Sequence, residues 1–192
     1  MFYYGYMLSN PYYMIGTIGV LLAAILATYA QMKVQSTYSR YKKIANRRGI
    51  TGYQVAREIL DSEGLDDIEI FEVHGNLTDH FNPSKKTIHL SRDIYQGTSI
   101  AALAVAAHEC GHAIQHNVKY FPIKIRMASV GFANIGSKLS WPLILLGLVL
   151  GYTGLAKIGV FLFTFVVFFQ LITLPVEFDA SGRALKILKN ND

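Results

Sequence analysis

The sequence predicts a mainly α membrane protein, with three transmembrane helices and a small cytoplasmic α+β domain organised around one helix. Three observations carry this expectation. Only 16% of the 192 residues are charged, against about a quarter in soluble domains, and mean hydropathy is +0.28. The deficit of charge is concentrated in two apolar runs, Tyr12 to Gln31 and Trp141 to Leu174. Between them lies a polar stretch with strand-like segments and an Ala-rich run, Ala101 to Asn117, reading AALAVAAHECGHAIQHN.

Residues 1–11, MFYYGYMLSNP, are Tyr-rich and carry no charged side chain. They lack the basic start and small-residue cleavage site of a secretory signal. Tyr12 to Gln31 is about 20 residues long, enough to cross a bilayer. Lys33, Arg40, Lys42, Lys43, Arg47 and Arg48 follow. This asymmetry places the far end of the first span in the cytoplasm and the N-terminus outside, and the cations suit contact with anionic lipid. The spacing predicts a helix continuing over 34–48 and ended by Arg48-Gly49.

Thr51 is placed to cap a second helix, TGYQVAREILDSEG, with Val55, Ala56, Ile59 and Leu60 on one face and Gly64 as its stop. Ile68 to Val73 alternates as a half-buried strand does. HGNLTDHFNPSKK is turn-rich, and Thr87 to Leu90 predicts a second short strand. An edge strand beside the Ala-rich helix would let an extended peptide add by main-chain hydrogen bonds.

The Ala-rich run must be helical for its chemistry to work. Thr98 and Ser99 are good N-cap residues, no Pro interrupts the run before His112, and Ala favours helix. The small side chains make a thin helix that neighbours can approach closely, and Gly111 leaves space beside the motif. Within the run, His108 and His112 are four residues apart. On a helix they lie about 40° apart and about 6 Å along the axis, so both imidazoles can reach one metal ion. Glu109 sits beside that face. Two His ligands with an adjacent carboxylate is the arrangement of a zinc hydrolase; the bland alternative is two ordinary histidines on an Ala-rich helix. Cys110 is the single cysteine, so no intramolecular disulfide can form, and a thiol beside zinc would be oxidation-sensitive.

Lys119, Lys124 and Arg126 keep the following segment basic. Trp141 to Leu174 is apolar except for Lys157, and Gly151-Tyr152-Thr153-Gly154 is a turn signal within it. The reading is a helical hairpin, Leu139–Tyr152 with a start as early as Val130, then Leu155–Leu174. Arg183, Lys186 and Lys189 again point to the cytoplasm. The expected organisation is an N-terminal transmembrane helix (1–33), a cytoplasmic catalytic region (34–126), a transmembrane hairpin (127–175) and a C-terminal cytoplasmic helix (176–192). The net charge of +5 does not indicate nucleic acid, because the cations flank apolar segments. An ion transporter is disfavoured too, since no His, Asp or Glu falls within the three spans.

A catalytic zinc takes three protein ligands and keeps a fourth position open. The candidates for the third are His74, His80, His89, His116, Glu177 and Asp179. His116 lies about 12 Å from His108 along the helix and cannot share the ion with both motif histidines. Glu177 is better placed than the upstream histidines. It follows Pro175, which can kink or restart the helix as the third span leaves the membrane. The bland role for Glu177 and Asp179 is favourable charge at a helix N-terminus.

NLTDHFNP, HLSRDIY, AVAAHECGHAIQH, NIGSKLSWPLILLG and LPVEFDASGRA together resemble the YugP-type family of membrane-bound neutral zinc metallopeptidases, over nearly the whole chain after residue 30. The chain is more distantly similar to HtpX-like membrane metallopeptidases, in which a later Glu of an E-F-x-A-D-like segment is the third ligand. The resemblance implies a zincin-like, gluzincin-type domain with Zn2+ on His108, His112 and Glu177 and with Glu109 as the catalytic carboxylate. The sequence departs from that pattern at Ser181, where an Asp is expected, so support of a zinc histidine is divided between Asp179 and Ser181. In the implied mechanism zinc acidifies water and polarises the scissile carbonyl, Glu109 carries the proton to the leaving amine, and His80 or Arg183 is a candidate donor to the oxyanion. The expected partners are the lipid bilayer and a peptide or membrane-protein substrate. The competing reading is a non-enzymatic membrane scaffold with a structural or vestigial zinc site.

Overall fold

The computed structural model describes residues 11–190, so most of the Tyr-rich stretch 1–11 lies outside the described residues. The chain divides into two units, Met1–Ala45 and Asn46–Asp192. The first holds helix α1, Pro11–Tyr41. This helix stops short of the expected 48. Beyond its end, the Asn46 side chain donates to the Ile50 carbonyl and accepts from the Ile50 N–H. Such local bonding offers the backbone an alternative to helix. Gly49 then takes a φ of +66°.

The second unit opens with α2, Gly52–Ser62. Thr51 Oγ1 accepts from the Gln54 N–H and Gln54 Oε1 accepts from the Thr51 N–H, a reciprocal cap that satisfies two donors at the helix start. Val55, Ala56, Ile59 and Leu60 are buried as the spacing required. Three strands follow: β1 (Glu69–Val73), β2 (His80–Asn82) and β3 (Thr87–Ser91). Their order is β1-β3-β2. β1 runs parallel to β3 with Glu69 opposite Thr87, and β2 runs antiparallel with His80 opposite His89.

This corrects the sequence expectation twice. HGNLTDHFNPSKK is not all turn, because it holds β2. The Asn82 carboxamide accepts from the N–H groups of Ser84 and Lys85, so the turn residues are genuine but mask the three-residue strand before them. In consequence β3 is the central strand, and the edge that contacts the Ala-rich helix is β2.

A single turn, α3 (Arg92–Tyr95), leads to α4 (Ile100–Asn117). Ile59, Leu60, Ile88, Leu90, Ile94, Ala102 and Ala106 form a core with at most 1% exposure where α2, β3, α3 and α4 meet. Each buried Ile or Leu contributes about 1.5–3 kcal/mol. Gly52 is required here, since a Cβ would strike the Ile94 carbonyl.

Two long helices complete the unit: α5 (Phe121–Val149) and α6 (Thr153–Asn190). Both extend beyond the expected hairpin. α5 starts well before Val130, and α6 runs unbroken through Pro175 rather than restarting there. Pro175 removes one intrahelical donor without ending the helix, as membrane helices tolerate. Both helices are long and apolar enough to cross a bilayer, and their most apolar stretches are only 22% and 11% buried. A core helix of a soluble protein would be largely buried, so this exposure fits membrane association. They pack closely through small residues. A Cβ on Gly159 would lie 2.8 Å from the Ser140 carbonyl and the Ile144 nitrogen, the kind of approach that membrane helices favour.

Candidate metal centre

Ser99 Oγ accepts from the Ala102 N–H and caps α4. With Ala at six of its 18 positions and Gly at one, the helix is thin enough to be enclosed. Cys110 reaches the Ala56 carbonyl on α2. On another side Gly111 abuts α6: a Cβ there would lie 2.7 Å from the Ala180 carbonyl oxygen and 3.1 Å from its Cα. The space expected beside Gly111 is thus filled by the backbone of α6. This close approach brings Glu177, one turn before Ala180, over the histidines of α4.

Glu177 Oε2 lies 3.2 Å from His108 Nε2 and 3.5 Å from His112 Nε2. The donor atoms of the three residues all fall within 4.8 Å of one another. Tetrahedral coordination with bonds of about 2.0–2.1 Å separates neighbouring ligand atoms by about 3.3 Å. Two imidazole nitrogens and one carboxylate oxygen at these separations fit a zinc ion.

The far side of each ring is also engaged. Gln115 is fully buried and donates both amide hydrogens, to the Val176 carbonyl and to Asp179 Oδ2. Its Oε1 must therefore accept from His112 Nδ1, 3.0 Å away, which leaves the His112 Nε2 lone pair facing Glu177. Ser181 Oγ lies 3.2 Å from His108 Nδ1. Of the two residues that the sequence left open, Ser181 contacts His108 directly, and Asp179 reaches His112 through Gln115. Such supports orient metal-binding imidazoles.

Glu109 is 7% exposed and lines an open cleft of about 400 Å³ together with His108, His112 and Glu177. Burial pushes its carboxyl above the ordinary value, opposed in part by His112 and His108. The hydrogen bond to Glu177 raises His108, against the effect of burial. The opposite wall of the cleft comes from Asp79, His80 and Phe81, and a further wall from Ile123, Arg126, Met127 and Val130 of α5.

The remaining candidates stand outside the donor group of His108, His112 and Glu177. His80 is on the cleft wall, with Nδ1 donating to the Thr78 carbonyl and its ring stacked on His89. Arg183 donates to Asp179 and lines a separate groove with Lys186. His116 packs on Phe81, and His89 contacts Thr87. The sequence reading missed three residues here: Gln115, Arg126 and Asp79. Gln115 was accessible, because it follows His112 by three positions and so shares its face. Arg126 Nη1 lies 3.0 Å from Glu177 Oε1, but in sequence it is one more flanking cation. Asp79 accepts from the N–H and hydroxyl of Ser91, a bond that depends on the unforeseen strand β2.

Comparison with known proteins identifies the family. Residues 16–192 match the family described as "Putative neutral zinc metallopeptidase". The chain is 44% identical over 172 residues to "Putative membrane protease YugP" of Bacillus subtilis (strain 168), covering 89% of this chain and 76% of that relative. No solved structure matches it. On the extent of both matches, the chain belongs to the YugP-type family described as "Putative neutral zinc metallopeptidase".

Proposed function

We propose that the chain is a membrane-embedded zinc endopeptidase that hydrolyses peptide bonds at the cytoplasmic membrane face. One observation carries the reading: the convergence of His108 Nε2, His112 Nε2 and Glu177 Oε2, separated by 3.2 and 3.5 Å across the carboxylate, beside a buried Glu109 in an open cleft. His108, His112 and Glu177 would hold the metal. When bound, zinc supplies Lewis acidity that polarises a carbonyl and acidifies water. Glu109 is the general base: it takes the proton of the attacking water and passes it to the leaving amine. Its raised carboxyl suits that two-way transfer. Gln115 and Ser181 hold the imidazole tautomers. His80 can serve the oxyanion from Nε2 only as the imidazolium, because Nδ1 is already committed to the Thr78 carbonyl.

The membrane reading takes α1 as a first span and α5–α6 as a hairpin, with the N-terminus outside and the catalytic region and C-terminus cytoplasmic. The basic residues flanking each segment support that orientation. Glu177 lies just past the most apolar part of α6, so the cleft opens at the membrane edge. Its apolar wall on α5 suits an apolar substrate side chain, and the β2 edge suits an extended main chain. Substrates are then membrane proteins or their released segments. A scaffold with a structural zinc would favour a fourth protein ligand; among the described residues the donor group has three. The test is Glu109→Gln in purified full-length protein. Retained zinc with abolished peptide cleavage supports the reading, and an active Glu109→Gln protein refutes it.

A further inference from the structure

Each of the three donor groups turns one atom inward and one outward. His108 and His112 direct Nε2 to the centre and Nδ1 to Ser181 and Gln115. Glu177 directs Oε2 to both imidazoles, and its Oε1 is held by Arg126 Nη1 at 3.0 Å. We propose that Arg126 is the positioning residue that fixes Glu177 as a one-oxygen ligand, setting both the affinity and the metal preference of the site. The proposal rests on reading His108, His112 and Glu177 as the metal ligands.

Glu177 is the loosest member of the set. Its side chain has three rotatable bonds and is 40% exposed, against 27% for His108 and 8% for His112. Ordering such a chain is entropically costly. The histidines come from one enclosed helix, whereas Glu177 comes from another, so its carboxylate needs an anchor of its own. Arg126 supplies it from the first turns of α5, and a guanidinium fixes direction as well as charge.

The outcome for metal choice follows from the oxygen count. A carboxylate with both oxygens free can chelate, which suits larger cations of higher coordination number such as Ca2+ or Mn2+. With Oε1 tied to Arg126, Glu177 offers one oxygen, which suits four-coordinate zinc. An opposing effect exists, because a guanidinium near a dication is repulsive. In this open cleft, with Arg126 33% exposed, solvent screens the repulsion, and the loss of positioning dominates on removing Arg126.

The full-length protein in detergent is stripped of metal. Zn2+ and Mn2+ affinities are then measured by competition with a chromogenic chelator, and Co2+ visible absorption reports coordination number. Arg126→Ala should weaken zinc by about 10- to 100-fold, the usual effect of losing such a support. It should also narrow the preference for zinc over Mn2+ and weaken the Co2+ bands. Arg126→Lys, which keeps charge without the fork, should recover part of the loss. Zinc as tight as wild type, or tighter, in Arg126→Ala with an unchanged Co2+ spectrum overturns the role while leaving the metal site intact. Should Arg126→Ala misfold by circular dichroism, Arg126→Lys decides: intermediate affinity supports the proposal, and wild-type affinity with a wild-type spectrum overturns it. A wild-type protein that takes up no zinc overturns the ligand assignment itself, and this inference with it.

Discussion

Replacing Gly111 by Ala probes the contact on which the whole site depends. The added Cβ would sit 2.7 Å from the Ala180 carbonyl oxygen, where ordinary contact begins at 3.4 Å. That neighbour is backbone, so no rotamer change relieves the clash, and α4 and α6 must separate locally by roughly 0.7 Å. Overpacking of this kind costs about 1–3 kcal/mol, while Ala gains about 1 kcal/mol over Gly in helix propensity. The net loss of stability is therefore on the order of 1 kcal/mol, a fall in Tm of about 2–4 °C. Metal binding should suffer more. Ligand distances tolerate only about ±0.2 Å, and Glu177 rides on the same helix one turn from Ala180. Zinc affinity in Gly111→Ala should drop at least about 10-fold, read by chelator competition alongside thermal unfolding with and without zinc. Wild-type zinc affinity would refute the argument that the Gly111–Ala180 approach sets the position of Glu177.

Four further outcomes are expected. Gln115→Leu removes the hydrogen bonds to the Val176 carbonyl and to Asp179, which keeps Arg183 as a donor, and leaves the buried His112 Nδ1 without its acceptor; it should cost about 1–3 kcal/mol and weaken zinc about 10- to 100-fold, whereas Ser181→Asp, giving His108 Nδ1 a carboxylate acceptor, should tighten zinc by about 10-fold in the same titration. Cys110 is fully buried and its thiol is pushed well above the ordinary range by that burial, so iodoacetamide should label it only after denaturation, as mass spectrometry will register. Phe165→Arg puts a charge in the apolar stretch of α6 at a cost of about 2.5–3.5 kcal/mol of insertion, which should lower the fraction of protein that resists carbonate extraction from membranes; unchanged extraction would count against α6 as a span.

How much of this was legible depended on how local each feature is. The motif helix could be read directly, because Ser99, the Ala spacing and the four-residue interval between His108 and His112 are properties of one segment. The same holds for the Thr51–Gln54 cap and the buried face of α2. Strand β2 was hidden because Asn82, Pro83 and Ser84 carry a turn signal stronger than three residues of strand can offset. Glu177 was preferred to His74, His80 and His89 from its place after Pro175, and resemblance to a family pattern then singled it out from Asp179. What brings Glu177 over α4 is a backbone contact, Gly111 on Ala180, that no local pattern encodes. Arg126 was invisible for the same reason. Its role depends on where α5 begins, and that start lies upstream of the apolar run that marked the helix.

The most direct test of the account is zinc per chain in detergent-purified wild type beside Glu177→Ala. About one zinc is expected in the wild type and a clear loss in the variant, as a three-ligand centre requires. Full zinc in Glu177→Ala would move the third ligand elsewhere, and no zinc in the wild type even after reconstitution would contradict the metal centre altogether.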